Sequence, residues 1–230
     1  MATWIKICGL TNLEDAALAA RLGADALGFV LHRESGRFCE QSTARAIIRD
    51  VPRGVTTVGV WLAEPAEVVS ETARFIGCDL VQTYDPITAR ALHVQGFNVL
   101  PAIPVAGEAI GREDWRRFLW SWGGRVLVDR SRAAPKQSTP GFLAKVDAWH
   151  DRVTTLGKTQ QIVLAGGLNP ENIRAALDTY RPNGADVASG VESAPGRKDA
   201  EKLVRFVEEV RRWDATVGSD VSAGSLSPRP

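Results

Sequence analysis

The sequence predicts an α/β fold, a (β/α)8 barrel of the TIM type in a single domain, and three observations carry that prediction. Short β-branched runs alternate with helical segments along the whole chain. Several runs, such as "TTVGVWL" and "QIVLAGG", are almost continuously apolar, as strands of a parallel sheet covered on both faces are. The length of 230 residues is close to the ~250 typical of such barrels. An open doubly wound sheet is disfavoured, because no G-x-G-x-x-G turn follows the first strand.

Taken in order, the predicted strands are Thr3–Ile7, Ala26–Leu31, Thr56–Leu62, Asp79–Thr83, Asn98–Ile103, Arg125–Asp129, Gln161–Ala165 and Ala185–Ala188. The segments between them carry helix signals. "TNLEDAALAARLGA" opens on Asn12 as a cap, has Glu14 and Asp15 in its first turn, and ends near Gly23. "EPAEVVSETARFIG" starts at Pro65 and stops at Gly77. "NPENIRAALDTYRP" repeats the scheme, with Asn169 as cap and Pro170 behind it. "KDAEKLVRFVEEVRRW" places Leu203, Phe206, Val207 and Val210 on one stripe with charges opposite. The predicted barrel spans residues 1–213, and the Ser-, Gly- and Pro-rich remainder, 214–230, is expected to be a disordered tail.

Composition narrows the partners. A net charge of +1 gives no global field to attract nucleic acid or an acidic membrane. No apolar stretch approaches the ~20 residues of a membrane helix, and no signal peptide is legible. Three cysteines without a C-x-x-C pair argue against a disulfide framework and for a reducing, cytoplasmic setting. The three histidines, His32, His93 and His150, are scattered, His93 and His150 inside predicted helices. No H-x-x-H or carboxylate cluster suggests a metal, and none is expected.

In such a barrel the site lies at the C-terminal ends of the strands. The first strand, in "WIKICGL", ends on Cys8, either a buried spacer or a base. Lys6, two residues back, sits one layer deeper and is not expected to act directly. The sixth strand ends on Asp129, where partial burial suits a carboxyl to donate a proton. The alternative there is a helix cap or a salt bridge to Arg130 or Arg132. "LAGGLNPENI" and "DVASGVESAPGRKDA" follow the seventh and eighth strands, where small residues and a helix start form a recurring phosphate site. Arg37, in "ESGRF", is a surface charge or a bidentate holder of a substrate carboxylate.

"KICGLTNLEDA", "GADALGFVL" followed by "SGR", "VGVW", "VLVD", "VLAGGLNPENI" and "DVASGVESAPGRKD" together resemble the phosphoribosylanthranilate isomerases of tryptophan biosynthesis. The resemblance runs from about Thr3 to Val210. It implies a cofactor-free Amadori rearrangement of a phosphorylated small molecule; the oligomeric state is left open between monomer and homodimer. It assigns Cys8 as general base and Asp129 as general acid. It assigns Arg37 and Gln82 to the substrate, and Gly166, Gly167, Ser189 and Gly190 to its phosphate. Three positions depart from the family's pattern. Its Q-L-H-G becomes Gln82-Thr83-Tyr84-Asp85. The glycine-rich loop after strand six becomes Lys136-Gln137-Ser138-Thr139, and a strand-five lysine is replaced within "NVLPAIPV", where Pro101 stands. Two other readings remain open at this level. One is an Amadori-type isomerase for another amino-sugar phosphate. The other is a phosphate-binding barrel that has lost turnover.

Overall fold

A computed structural model describes residues 2–104, 113–120, 122–129 and 160–223. Eight parallel strands close into a barrel in sequence order: β1 (Trp4–Cys8), β2 (Ala26–Val30), β3 (Thr56–Val60), β4 (Leu80–Thr83), β5 (Val99–Pro104), β6 (Arg125–Asp129), β7 (Gln161–Ala165) and β8 (Gly184–Val187). Each lies within two residues of its predicted bounds. β8 closes on β1 with Lys6 opposite Asp186, and β1 meets β2 with Cys8 opposite Gly28.

Alternation sorts the side chains into two cores. Trp4, Ala26, Val58, Leu100, Leu127 and Val163 point inward and fill the barrel. Their neighbours Ile5, Leu27, Val81, Val126 and Ile162 point outward beneath the helices. A strand buried on both sides has no polar face to show, which is why "TTVGVWL" reads as apolar throughout.

The helices are α1 (Leu13–Arg21), α2 (Gln41–Asp50), α3 (Ala66–Ile76), α4 (Pro86–Val94), α5 (Glu113–Trp120), α6 (Ile173–Tyr180) and α7 (Ala200–Ala223). Asn12 caps α1 by accepting from Asp15 N at 2.9 Å, a contact worth about 1 kcal/mol. Gly77 ends α3 in the left-handed conformation. The α6 cap lies three residues later than predicted: Asn172 is the cap residue, while Asn169 accepts from Glu171 N and Asn172 N in a turn that precedes the helix. His93 lies in α4; His150 and the loop 136–141 lie outside the described residues.

The final helix corrects the expected boundary at Trp213. α7 continues to Ala223. Asp214, placed in the tail by composition, accepts from Thr3 N at 2.9 Å and Thr3 Oγ1 at 2.6 Å, and Arg211 donates to Thr3 O at 2.7 Å. The helix thereby ties down the first strand, a long-range contact that local Ser and Gly content does not register.

Candidate active site

Cys8, Arg37, Gln82, Asp129, Gly166, Gly167 and Ser189 line one cavity of about 190 Å³ at the C-terminal end of the barrel, with Tyr84 and Asp186. Seven of the eight residues singled out in the sequence therefore meet in one place. A larger hollow of about 1010 Å³, lined by Trp4, Arg125, Gln161 and Asn183 among others, lies at the opposite end, away from the thiol and the carboxyl.

Cys8 is the last residue of β1, inward and buried. Gly9 follows with φ +77°, and a Cβ there would come within 2.6 Å of Arg37 Cδ. A glycine is therefore required both for the turn and for the passage of the arginine. Across the ladder, Gly28 leaves room for the thiol: a Cβ would approach Cys8 Sγ at 2.8 Å and Lys6 Nζ at 3.0 Å. Burial pushes the Cys8 thiol above its ordinary value, with Lys6 pulling the other way.

Lys6, one layer deeper and not expected to act directly, nevertheless interacts with Cys8. Fully buried, it donates to Asp186 Oδ1 at 2.8 Å and also reaches Cys8. Burial opposes its charge, but Asp186 and Cys8 outweigh that and hold the ammonium protonated. Neither Lys6 nor Asp186 stood out in the sequence as a functional residue. The available signal was a lysine and an aspartate at inward positions of apolar strands, since buried charges are almost always paired.

Asp129 ends β6 and is 5% exposed. Its Oδ2 accepts from the Tyr84 hydroxyl at 2.6 Å. Arg130 and Arg132, the alternative partners, lie outside the described residues. Gln82 is inward on β4, 1% exposed, and its Oε1 has no hydrogen-bond partner among the described residues. The acidic residue after Tyr84 does not face the cavity chemistry. Asp85 caps α4, accepting from Thr88 N at 2.8 Å. Pro101 takes its place in β5 opposite Thr83.

Arg37 sits at the cavity, but its fork already holds a carboxylate. Nε reaches both Glu192 oxygens, at 2.9 and 3.0 Å, and Nη2 reaches Oε2 at 2.7 Å. The fork partner among the described residues is thus Glu192, and among them Nη1 and one hydrogen of Nη2 are left for a ligand. Glu192 also takes Lys198 Nζ at 3.0 Å, and Lys198 donates to the carbonyl of Cys8 at 2.6 Å. Burial works against the Glu192 charge, but Arg37 and Lys198 hold its carboxyl below the usual range. This network fastens the hairpin of β9 (Glu192–Ala194) and β10 (Arg197–Lys198) to the end of β1.

The two small-residue loops meet on the rim. Gly166 and Gly167 turn with φ +96° and +83°, and Gly167 and Ser189 are exposed. Ser189 begins one 3₁₀ turn, Ser189–Val191. Gly190 is the predicted site residue that does not line the cavity. A Cβ there would collide with the Leu168 carbonyl oxygen, so its smallness seats one loop against the other. Among the described residues no group of three or more His, Cys, Asp or Glu is placed to hold a metal ion. No helix among them is long and apolar enough to cross a membrane.

A closed barrel with a thiol, a carboxyl and paired small loops in one cavity on the C-terminal rim has the layout of the (β/α)8 enzymes, whose active sites lie at that end. Comparison with known proteins narrows the class. The family described as N-(5'-phosphoribosyl)anthranilate (PRA) isomerase matches residues 5–209. The enzyme of that name from Pelobacter propionicus is 38% identical over 203 residues, covering 88% of this chain and 93% of its own. Its counterpart from Thermotoga maritima is 34% identical over 209 residues, covering 90% and 98%. The solved isomerase from Thermus thermophilus superposes with a TM-score of 0.76 at 35% identity, covering 91% of this chain and 99% of its own. The chain belongs to the N-(5'-phosphoribosyl)anthranilate isomerase family, enzymes of tryptophan biosynthesis.

Proposed function

We propose that the chain catalyses the Amadori rearrangement of N-(5'-phosphoribosyl)anthranilate to 1-(2-carboxyphenylamino)-1-deoxyribulose 5-phosphate, with Asp129 as acid and Cys8 as base. The observation that carries this reading is the meeting of Cys8 and Asp129, from opposite halves of the sequence, in one cavity with the Gly166-Gly167 and Ser189 loops. A related solved isomerase, 33% identical with a TM-score of 0.72, is described in complex with the reduced form of that product.

The chemistry needs one group of each kind. Asp129 gives its proton to the furanose ring oxygen. The C1–O bond breaks toward that oxygen, and the nitrogen lone pair forms C=N. The iminium acidifies the C2 proton, which the Cys8 thiolate removes. The resulting enolamine tautomerises to the ketone. Each step moves a proton and an electron pair and needs no redox partner. Lys6 favours the thiolate electrostatically. Gly166, Gly167 and Ser189 offer backbone and a hydroxyl to the phosphate, with Gly190 holding the loops together. Arg37 meets the anthranilate carboxylate through Nη1, and Gln82 offers its amide from the cavity wall. The proposal extends to a soluble, cytoplasmic enzyme acting as a monomer or homodimer; the Thermotoga maritima relative is described as dimeric.

The test is a fluorescence assay on phosphoribosylanthranilate generated in place. Wild type consumes the substrate, while Asp129→Asn and Cys8→Ser lose turnover and still bind inorganic phosphate. Wild-type protein without turnover, or an Asp129→Asn variant with full turnover, overturns the assignment.

A further inference from the structure

The chain leaves its family's sequence pattern at the end of β4, and the structure gives that departure a partner. Tyr84 follows β4 and lines the cavity. Its hydroxyl donates across to Asp129 Oδ2 at 2.6 Å. Gln82, two residues earlier on the same inward face, approaches that hydroxyl with Nε2 at 3.4 Å. A phenol has one proton to donate and lone pairs to accept with, so its proton goes to Asp129 while its oxygen can accept from Gln82. Burial first, and then the neighbouring Asp129, push the phenol well above its ordinary value, so it keeps its proton and stays the donor.

We propose that Tyr84 is a positioning residue for Asp129: its hydroxyl holds Oδ2 as an acceptor and so fixes the orientation in which the carboxyl delivers the ring-opening proton. This inference rests on the reading of Asp129 as the acid. Before the transfer, the bond from Tyr84 runs to Oδ2 of the carboxyl. When the proton passes to the ring oxygen, the carboxyl becomes a carboxylate and the bond from Tyr84 becomes charge-assisted. That contact is stronger after proton transfer than before it. Tyr84 therefore stabilises the developing charge rather than the bound substrate, and its effect falls on kcat rather than KM. No bond of Tyr84 itself is made or broken.

The experiment measures kcat and KM on phosphoribosylanthranilate for wild type, Tyr84→Phe, Asp129→Asn and the double variant, with inorganic phosphate inhibition and thermal melting as fold controls. The expected result for Tyr84→Phe is a roughly tenfold loss of kcat, the order of one hydrogen bond to a charged group, with KM within about twofold. In the Asp129→Asn background, removing the hydroxyl is expected to change nothing further. Where residual activity there is too low to measure, the division between kcat and KM decides. A raised KM with kcat unchanged makes Tyr84 a substrate contact and overturns the proposal. Equal losses in both backgrounds overturn it too, as do weakened phosphate inhibition and a lowered melting point, which make the effect structural. Wild-type protein without turnover removes the isomerase reading and this inference with it.

Discussion

Replacing Lys6 by Met separates stability from chemistry at the centre of the barrel. Methionine keeps the length of the side chain and drops its charge and donors. Asp186 is then left in the barrel interior without the ammonium that lay 2.8 Å away. Removing one partner of a buried pair costs about 3–5 kcal/mol. At roughly 2–4 °C per kcal/mol for a chain of this size, melting falls by about 6–20 °C. The double variant Lys6→Met/Asp186→Leu removes both charges and recovers most of that loss. Activity follows a different rule. Burial is the largest influence raising the Cys8 thiol, and Lys6 is the largest one lowering it. A base acts only when deprotonated and an acid only when protonated, so turnover tracks the fraction of enzyme that holds the Cys8 thiolate together with a protonated Asp129. Without Lys6 the thiol rises further and that fraction falls. The double variant is thus expected to melt near wild type yet turn over more slowly at neutral pH. Calorimetry and kcat/KM at neutral pH check both halves. An unchanged melting point in Lys6→Met refutes the buried-pair argument, and wild-type kcat/KM in the double variant refutes a role for Lys6 at Cys8.

Two further perturbations address the rim. Gly190→Ala drives a methyl group into the Leu168 carbonyl, so stability falls by about 1–3 kcal/mol and inhibition by inorganic phosphate weakens; wild-type melting and inhibition would show that the two loops are not seated on each other. Glu192→Gln removes the charge between Arg37 and buried Lys198, at a cost of about 3–5 kcal/mol at neutral pH. Because the native Glu192 carboxyl is held low, its stabilisation is present above about pH 4.3, the ordinary glutamate value, and is lost as pH falls through the lowered native value. Circular dichroism along an acid series should therefore find the gap between wild type and Glu192→Gln closing toward low pH; a constant gap would remove Glu192 from the acid response.

The strands were legible because their evidence is local. "VLVD" and "QIVLA" need only their own residues to read as buried strands, and the barrel rule then carries their last positions to the rim. Cys8 and Asp129 were found that way. The paired loops after β7 and β8 were legible for the same reason, although Gly190 turns out to seat one loop on the other. The cap of α6 falls at Asn172 rather than Asn169 because Asn169 closes a turn of its own, accepting from Glu171 N and Asn172 N before the helix begins. The boundary at Trp213 was misread because the contact that extends the helix, Asp214 with Thr3, spans 211 residues.

The sequence by itself determined the barrel, the order of its strands and the two strand ends on which the proposed chemistry rests, since hydrophobic period and turn residues are written in windows of a few residues. Tertiary structure decided who partners whom. Lys6 finds Asp186 across 180 positions, Arg37 gives its fork to Glu192 across 155, and Tyr84 reaches Asp129 across 45. Those choices follow from the register in which the barrel closes, which sets one inward side chain beside another. No local period encodes that register, because it is a property of all eight strands meeting at once.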